Sequence, residues 1–166
     1  MNKAVFLDRD GVINKYNKPI NQPQDLELYS WTSAAIKRLN DAHYKTFIVT
    51  NQGGIECGYF TETELENIHL HLINLLNETG ATIDEIAYCP HFKSECNYRK
   101  PNPGMILKLA EKYTINLHSS YLIGDRKSDI IAGKKADCIT IKIGAKCPDA
   151  DYSVETLEDA VDIILC

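Results

Sequence analysis

Residues 4–14 decide the fold and read Ala4-Val5-Phe6-Leu7-Asp8-Arg9-Asp10-Gly11-Val12-Ile13-Asn14. A short apolar, β-prone run ends there in two carboxylates that are two positions apart. Because residues i and i+2 of an extended chain point to the same side, Asp8 and Asp10 are expected to crowd the carboxyl end of a strand. Close carboxylates repel unless a cation lies beside them, and Mg²⁺ is commonly held by one or two carboxylates with phosphate and water. A plain surface turn is the alternative interpretation, because Asp and Gly are turn residues.

The composition is that of an ordinary globular protein. The 166 residues, 44% of them hydrophobic, suit a single domain over 1–166. A net charge of −5 without a strongly basic stretch argues against nucleic acid as a partner. Neither a transmembrane-length apolar run nor a signal-peptide pattern is present, so we expect a cytoplasmic protein without a membrane partner. A monomer is the default expectation, since no sequence feature sets the oligomeric state. The six cysteines would then be mostly reduced thiols or metal ligands.

Strand-like and helix-like segments alternate along the chain. Apolar, β-prone runs predict strands at 4–7, 44–49, 83–88, 120–123 and 138–143. Helical spacing predicts helices at 32–42, 128–135 and 154–165. Capping signals predict two more: one from the capping box Thr61-x-x-Glu64 to about Gly80, and one from an N-cap at Asn102 to about Tyr113. Residues 14–29 are expected to form a loop or flap. This order predicts a Rossmann-like three-layer α/β/α fold with a mostly parallel five-stranded sheet.

Polar groups are expected to gather at one edge of this sheet. The carboxyl ends of predicted strands lead into Asp8 and Asp10, Thr50 and Asn51, and Asp125 with Asp129, while Arg99-Lys100-Pro101 precedes a neighbouring helix. Each group alone could be a turn, a solvated charge or a helix cap. Because open α/β sheets bind ligands at this edge, their joint placement favours a phosphate site.

These residue types suit phosphoryl transfer. Asp8 can act as a nucleophile and form an aspartyl-phosphate. Asp10 can protonate the leaving oxygen and then deprotonate the water that hydrolyses the intermediate. Mg²⁺ between Asp8, Asp125 and the phosphate would screen the repulsion between anions. The equatorial phosphoryl oxygens would be held by donors from Lys100, Thr50 and Asn51.

The motifs resemble those of the haloacid dehalogenase superfamily of phosphatases. The matching residues are Asp8-x-Asp10-Gly11-Val12, Thr50-Asn51, Lys100 and Gly124-Asp125-Arg126-x-x-Asp129, in that order over about residues 3–143. The resemblance implies that Asp8 is the nucleophile and Asp10 the acid/base. It also implies that Mg²⁺ is held by Asp8, the Asp10 carbonyl oxygen and Asp125.

Longer segments resemble a narrower branch that contains heptose 1,7-bisphosphate 7-phosphatases and histidinol-phosphate phosphatases. They are residues 6–14, Thr50-Asn51-Gln52, Gly58-Tyr59-Phe60-Thr61, Cys89-Pro90-His91 and Arg99-Lys100-Pro101-x-Pro103-Gly104-Met105. The branch implies a domain without a large cap, in which Arg99 contacts a distal part of the substrate. It implies a Mg²⁺-dependent phosphomonoester hydrolase of carbohydrate metabolism, acting on a small phosphorylated metabolite. D-glycero-D-manno-heptose 1,7-bisphosphate, losing its 7-phosphate, is the first candidate and histidinol phosphate the alternative.

The chain departs from that branch at a zinc motif of the form Cys-x-His…Cys-x-Cys. Cys89, His91 and Cys96 supply three of the four ligands, and Tyr98 stands in place of the fourth. Because structural zinc almost always takes four ligands, we expect zinc to be weakly bound or absent. Cys57 stands where the heptose enzymes would have Arg, which weakens the heptose assignment.

Two other classes of protein are alternatives to a phosphatase. A response-regulator domain has its acceptor Asp after the third strand, but Cys89-Pro90 follows the third strand here. A catalytically inactive phosphate- or zinc-binding module stays open, although the intact pair of Asp8 and Asp10 argues against it.

Overall fold

A computed structural model describes residues 1–93 and 95–166. Its strands are β1 (Ala4–Leu7), β2 (Lys45–Asn51), β3 (Glu85–Cys89), β4 (Tyr121–Gly124), β5 (Ile139–Ile143) and β6 (Tyr152–Val154). Its α-helices are α1 (Thr32–Asp41), α2 (Glu62–Asn77), α3 (Gly104–Tyr113), α4 (Lys127–Lys135) and α5 (Leu157–Leu165). The strands pair in parallel in the order β3-β2-β1-β4-β5-β6.

Helices cover both faces of this sheet because the strand side chains alternate between two apolar layers. In β1, Val5 and Leu7 face a core shared with α1, α2 and α5. Ala4 and Phe6 face a second core shared with α3 and α4. All four β1 residues are buried, as expected for a central strand of a parallel sheet. The three-layer Rossmann-like prediction is confirmed, and the described residues contain no large cap domain.

The sheet has six strands, so the prediction of five was wrong. Residues 152–154 form β6 at the edge of the sheet, where a helix beginning at 154 was expected. The helix begins at Leu157, because the Thr156 hydroxyl accepts from the backbone N–H of Asp159 and caps it.

Two local predictions also differ at element ends, while a third is confirmed. Asn102 does not cap α3: its side chain donates to the Cys96 carbonyl at 2.9 Å, and the helix begins at Gly104. Thr50 and Asn51 close β2 instead of following it. The capping box of Thr61 and Glu64 starts α2 as predicted.

None of the helices in the described part of the chain combines the length and the apolar character needed to cross a membrane.

Candidate active site

The strand order reverses between β1 and β4, and the candidate site lies at the carboxyl ends of these two strands. Asp8 follows β1 directly and Asp125 follows β4. The backbone N–H of Asp8 donates to the Ile123 carbonyl at 3.0 Å, which extends the pairing of the two strands to the first carboxylate. A reversal of strand order opens a crevice above the sheet, and ligands of such sheets bind there.

The ammonium of Lys100 is the buried cation of this site. It donates to Asp8 Oδ1 at 2.9 Å, to Asp129 Oδ1 at 2.6 Å and to the Val49 carbonyl at 2.7 Å. Its three protons are therefore all used. Burial acts to lower the pKa of Lys100, but the charges of Asp8 and Asp129 outweigh it and raise that pKa. Lys100 is thus a permanent positive charge between two carboxylates.

Three carboxylates converge beside this lysine. Asp8, Asp125 and Asp129 each offer an oxygen within 4.8 Å of the others. Burial, followed by the charge of Asp129, raises the pKa of Asp125, and burial also raises the pKa of Asp8 well above its usual range despite Lys100. The single ammonium leaves an excess of negative charge, which disfavours ionisation of the whole cluster.

The residues of this cluster fit a magnesium ion. Asp125 Oδ1 is buried and has no hydrogen-bond partner within the described residues. An unpartnered buried oxygen is costly unless something absent from the chain itself engages it. Carboxylate oxygens are hard ligands, which suits Mg²⁺. Asp8, Asp125 and Asp129 are the side chains that would hold the ion; Asp129 belonged to the acidic motif in the sequence analysis but was not among the expected ligands.

Two glycines allow the acidic side chains to lie this close to the backbone. Gly11 has φ +85°, and a Cβ there would lie 2.2 Å from Asp125 Oδ2. A Cβ on Gly124 would lie 2.2 Å from the Cβ of Asp129. Both contacts are far below van der Waals distance, so any side chain at these positions would displace a carboxylate.

The Asp10 carboxylate bonds to Arg9 and Asn14 and does not join the acidic cluster. Its Oδ1 accepts from Arg9 Nε at 2.9 Å and from Asn14 Nδ2 at 3.0 Å, and its Oδ2 accepts from Arg9 Nη2 at 3.2 Å. Asp10 still lines the same cavity as Asp8. This carboxylate is therefore held by protein donors and stands apart from the three that converge for a metal.

Arg9 and His69, neither of which was predicted to take part in the site, form a buried pair next to Asp10. Arg9 is only 1% exposed, and its Nη1 lies 3.1 Å from His69 Nε2 on α2. Burial, with the nearby charge of Arg9, lowers the pKa of His69 to about 3. No sequence signal marks this contact, because the two residues are sixty positions apart and meet only when α2 packs on the sheet.

The residues at the end of β2 hold the neighbouring loop. The Asn51 side chain donates to the Lys100 carbonyl and accepts from the Lys100 backbone N–H, both at 3.0 Å. The Thr50 hydroxyl accepts from Gln52 Nε2 at 2.9 Å. Thr50 and Asn51 both line the cavity, but the Asn51 amide is already committed to fixing the loop that carries Lys100.

Arg99 lies at the other side of the cavity. Its Nη1 donates to the His91 carbonyl at 2.7 Å, and its guanidinium lies 5.4 Å from the centre of the Phe92 ring. These contacts hold a half-buried cation beside the opening. Arg126 is a further cation of the cavity lining, and it is exposed.

The cavity that joins these residues has a volume of about 660 Å³. Its walls come from three loops outside the sheet. The flap contributes Tyr16, Pro19, Ile20 and Asn21, the segment after β2 contributes Cys57, Tyr59 and Phe60, and the segment before α3 contributes Phe92 and Arg99. A cavity of this size accommodates a ligand as large as a phosphorylated sugar.

The three residues of the incomplete zinc motif do not form a comparable group. Among the described residues, the three ligand side chains that converge closely enough to hold a metal are those of the acidic cluster. Cys89, His91 and Cys96 do not form a second such group. The Cys89 thiol donates to the Cys96 sulfur at 3.6 Å. Burial raises the pKa of Cys89. The geometry gives zinc no support.

The fold and the site together define a class of protein: a parallel α/β protein with a buried lysine and three carboxylates that could hold a metal ion, at the point where the strand order reverses. Phosphoryl transfer needs these groups. The family model of haloacid dehalogenase-like hydrolases matches residues 2–143. The chain belongs to that family, which confirms the resemblance seen in the sequence.

Relatives with established names extend this result. The chain is 40% identical over 141 residues to the D-glycero-beta-D-manno-heptose-1,7-bisphosphate 7-phosphatase of Rhodopseudomonas palustris, with 80% of this chain and 78% of that protein covered. It is 35% identical over 169 residues to the enzyme of the same name from Helicobacter pylori, with 98% of both chains covered. The solved D,D-heptose 1,7-bisphosphate phosphatase of B. bronchiseptica, complexed with magnesium and phosphate, superposes with a TM-score of 0.90 at 28% identity, covering 98% of each chain.

Proposed function

We propose that this protein is a Mg²⁺-dependent phosphatase that removes the 7-phosphate of D-glycero-D-manno-heptose 1,7-bisphosphate. The observation that carries the proposal is the convergence of Asp8, Asp125 and Asp129 at the carboxyl ends of β1 and β4, with Lys100 paired to Asp8 and Asp129. The names of the relatives support the choice of substrate. We include in the proposal that residues 1–166 act as one domain, as a cytoplasmic monomer without nucleic-acid or membrane partners.

Each side chain of the site has its own role in the proposed reaction. Asp8 attacks phosphorus, and the bond between phosphorus and the leaving oxygen breaks as Asp10 gives that oxygen its proton. Asp10 then takes a proton from water, which attacks the aspartyl-phosphate and releases inorganic phosphate. When bound, Mg²⁺ neutralises charge on the phosphate and the nucleophile. Lys100 holds Asp8 in a fixed orientation, the Thr50 hydroxyl donates to a phosphoryl oxygen, and Asn51 acts by holding the backbone of Lys100 in place.

The charges of the cavity favour a bisphosphate over histidinol phosphate. Apart from the acidic cluster with Lys100 and the pair of Arg9 and Asp10, the charged side chains described in the lining are Arg99 and Arg126. Cations in the same cavity as Asp8 suit a second phosphate group, whereas histidinol phosphate would bring an ammonium toward them. Cys57, which lines the same cavity, supplies no basic contact, so Arg99 and Arg126 are the cations left for a second phosphate.

Zinc takes no part in the proposed reaction. The ligands that converge are oxygens, and the free thiol of Cys89 donates a hydrogen bond to the Cys96 sulfur. At most, a metal bound by these thiols and His91 would order the loop that carries Arg99.

A substrate panel tests the proposal. Phosphate release with Mg²⁺ is measured for both anomers of heptose 1,7-bisphosphate, for histidinol phosphate and for common sugar monophosphates, with Asp8→Asn as the inactive control. We expect a heptose bisphosphate to give the highest kcat/KM, at least about tenfold above histidinol phosphate, as a second charge-assisted contact would supply. Faster turnover of histidinol phosphate would show that histidinol phosphate, and not the heptose bisphosphate, is the preferred substrate. No turnover of any phosphomonoester would refute the proposal that the protein is a phosphatase.

A further inference from the structure

A buried chain of hydrogen bonds connects Asp10 to helix α2 through Arg9. Arg9 is the largest of the fully buried side chains, at 1% exposure. Burying a guanidinium is costly unless its donors are paired. Two of its nitrogens bond to the neighbouring Asp10, and the third, Nη1, lies 3.1 Å from His69 Nε2.

The direction of the last bond is fixed by chemistry. A guanidinium can only donate, so His69 Nε2 must accept, and the ring proton must lie on Nδ1. His69 is itself 8% exposed. The contact therefore anchors Arg9 from the side opposite Asp10.

Without the contact to His69, the hydrogen bonds described for the Arg9 side chain go to the neighbouring Asp10 alone. Asn14 also holds Asp10, but Arg9 and Asp10 are adjacent in the chain, so their pairing alone does not fix the guanidinium relative to the sheet. A buried Nη1 left without an acceptor costs about 1–3 kcal/mol. The guanidinium would turn toward another acceptor or water, and its two bonds to Asp10 would be lost or redirected.

The anchored arrangement selects one oxygen of Asp10. Oδ1 accepts two hydrogen bonds, from Arg9 and from Asn14, while Oδ2 accepts one long bond of 3.2 Å from Arg9. A carboxylate has roughly two acceptor positions on each oxygen. Oδ1 is thus filled, and Oδ2 keeps a free position from which a proton can be exchanged.

We propose that His69 is a positioning residue for proton transfer, which through Arg9 fixes the Asp10 carboxylate with Oδ2 as the oxygen that exchanges a proton with the substrate. The inference rests on the proposed phosphatase function. As Asp8 forms its bond to phosphorus, the proton on Asp10 Oδ2 passes to the leaving oxygen and the alcohol departs. In the second half, water gives its proton back to the same oxygen, so Asp10 ends as it began.

The leaving group provides the test. A sugar alkoxide must be protonated as it leaves, whereas p-nitrophenolate is stable without a proton. Because kcat/KM reports the steps up to formation of the aspartyl-phosphate, it is measured for p-nitrophenyl phosphate and for the sugar phosphate that the wild-type protein hydrolyses fastest. We expect His69→Leu to lower kcat/KM for the sugar phosphate by at least about tenfold, part of the 10²–10⁴ typical of acid–base catalysis, and to lower it far less for the aryl phosphate.

Two further variants separate positioning from folding. His69→Gln places an amide oxygen near the position of Nε2 and is expected to restore most of the ratio between the two substrates. His71→Leu makes the same change two positions along α2 and is expected to leave the ratio at its wild-type value. If His69→Leu does not fold, His69→Asn replaces it, because its amide is too short to reach Arg9 and should give the same loss.

The outcomes are distinct. Equal losses on both substrates, or no rescue by Gln, would show that His69 only supports the fold and would overturn the inference. Wild-type protein that hydrolyses neither substrate would instead refute the phosphatase function. A ratio that falls in His69→Leu and returns in His69→Gln supports the positioning role.

Discussion

Lys100 donates to Asp129 at 2.6 Å, and this contact joins the loop before α3 to the first turn of α4. The same ammonium bonds to Asp8 after β1 and to the Val49 carbonyl within β2. One side chain therefore ties together four segments that converge on the cavity. Its charge holds the carboxylates together when no metal is bound.

Replacing Lys100 with Met is expected to abolish turnover and to destabilise the metal-free protein. Removing one partner of a buried ion pair costs about 3–5 kcal/mol, because the remaining charges lose their compensation. Mg²⁺ should recover much of that loss, since it supplies positive charge to the same carboxylates. Denaturant unfolding with and without Mg²⁺ measures both effects. Lys112→Met, which breaks the exposed pair with Glu85, is the control, and an equal Mg²⁺ effect in the two variants would contradict the prediction.

Asp8→Asn is expected to eliminate phosphate release and to stabilise the metal-free fold at pH 7.5. Burial and the charges of Asp129 and Asp125 raise the pKa of Asp8, so its contribution to stability is greatest below its unfolded value near 3.9 and is lost as the pH rises through the raised pKa. The neutral amide avoids that loss.

The stability advantage of Asp8→Asn should therefore shrink as the pH falls from 7.5 toward 4. Free energies of unfolding of both proteins, measured in EDTA across that range, give the difference directly. Saturating Mg²⁺ should reverse the order at pH 7.5, because the wild-type carboxylate binds the ion. A constant difference at every pH would show that Asp8 is not destabilised by burial, and residual turnover near a tenth of wild type would exclude it as the nucleophile.

Asp8 and Asp125 could be placed from the sequence because both end an apolar strand, and parallel strands bring their carboxyl ends to one edge. The contact between Arg9 and His69 could not be predicted, because it depends on the rotation of α2 about its axis. The short edge strand β6 was also missed. Its three residues, 152–154, are too few to show a period of two, and their pairing with β5 depends on the fold already being formed.

Gly11→Ala is expected to weaken Mg²⁺ binding. The residue has φ +85°, and an added Cβ would lie 2.2 Å from Asp125 Oδ2, so the carboxylate must move. The positive φ by itself costs about 1–3 kcal/mol for a residue with a side chain. Gly58→Ala is the matched control, because Gly58 has φ +80° with nothing within 4 Å of the added Cβ. Calorimetric titration with Mg²⁺ should show weaker binding in Gly11→Ala alone. Equal affinities would mean that Asp125 is not a ligand.

The metal content of the protein should follow its ligand geometry. The converging ligands are three carboxylates, which select a hard cation, whereas the Cys89 thiol donates to Cys96 and their motif lacks a fourth ligand. We expect protein purified without chelator to contain much less than one zinc per chain. After EDTA treatment, Mg²⁺ alone should restore turnover, and Ca²⁺ should not, because its longer bonds and larger coordination number would misplace Asp8.

The double variant Cys89→Ala/Cys96→Ala tests the same prediction by removing the two thiols instead of changing the metal. The two thiols lie outside the acidic cluster, so the double variant should keep its Mg²⁺-dependent kcat. Its KM is expected to rise, because losing the hydrogen bond between the Cys89 and Cys96 sulfurs would loosen the loop that leads to Arg99 and would displace that cation from the cavity. Elemental analysis and steady-state kinetics on both proteins give the result. One zinc per chain that survives dialysis, together with loss of kcat in the double variant, would show that the thiols hold a metal the reaction needs.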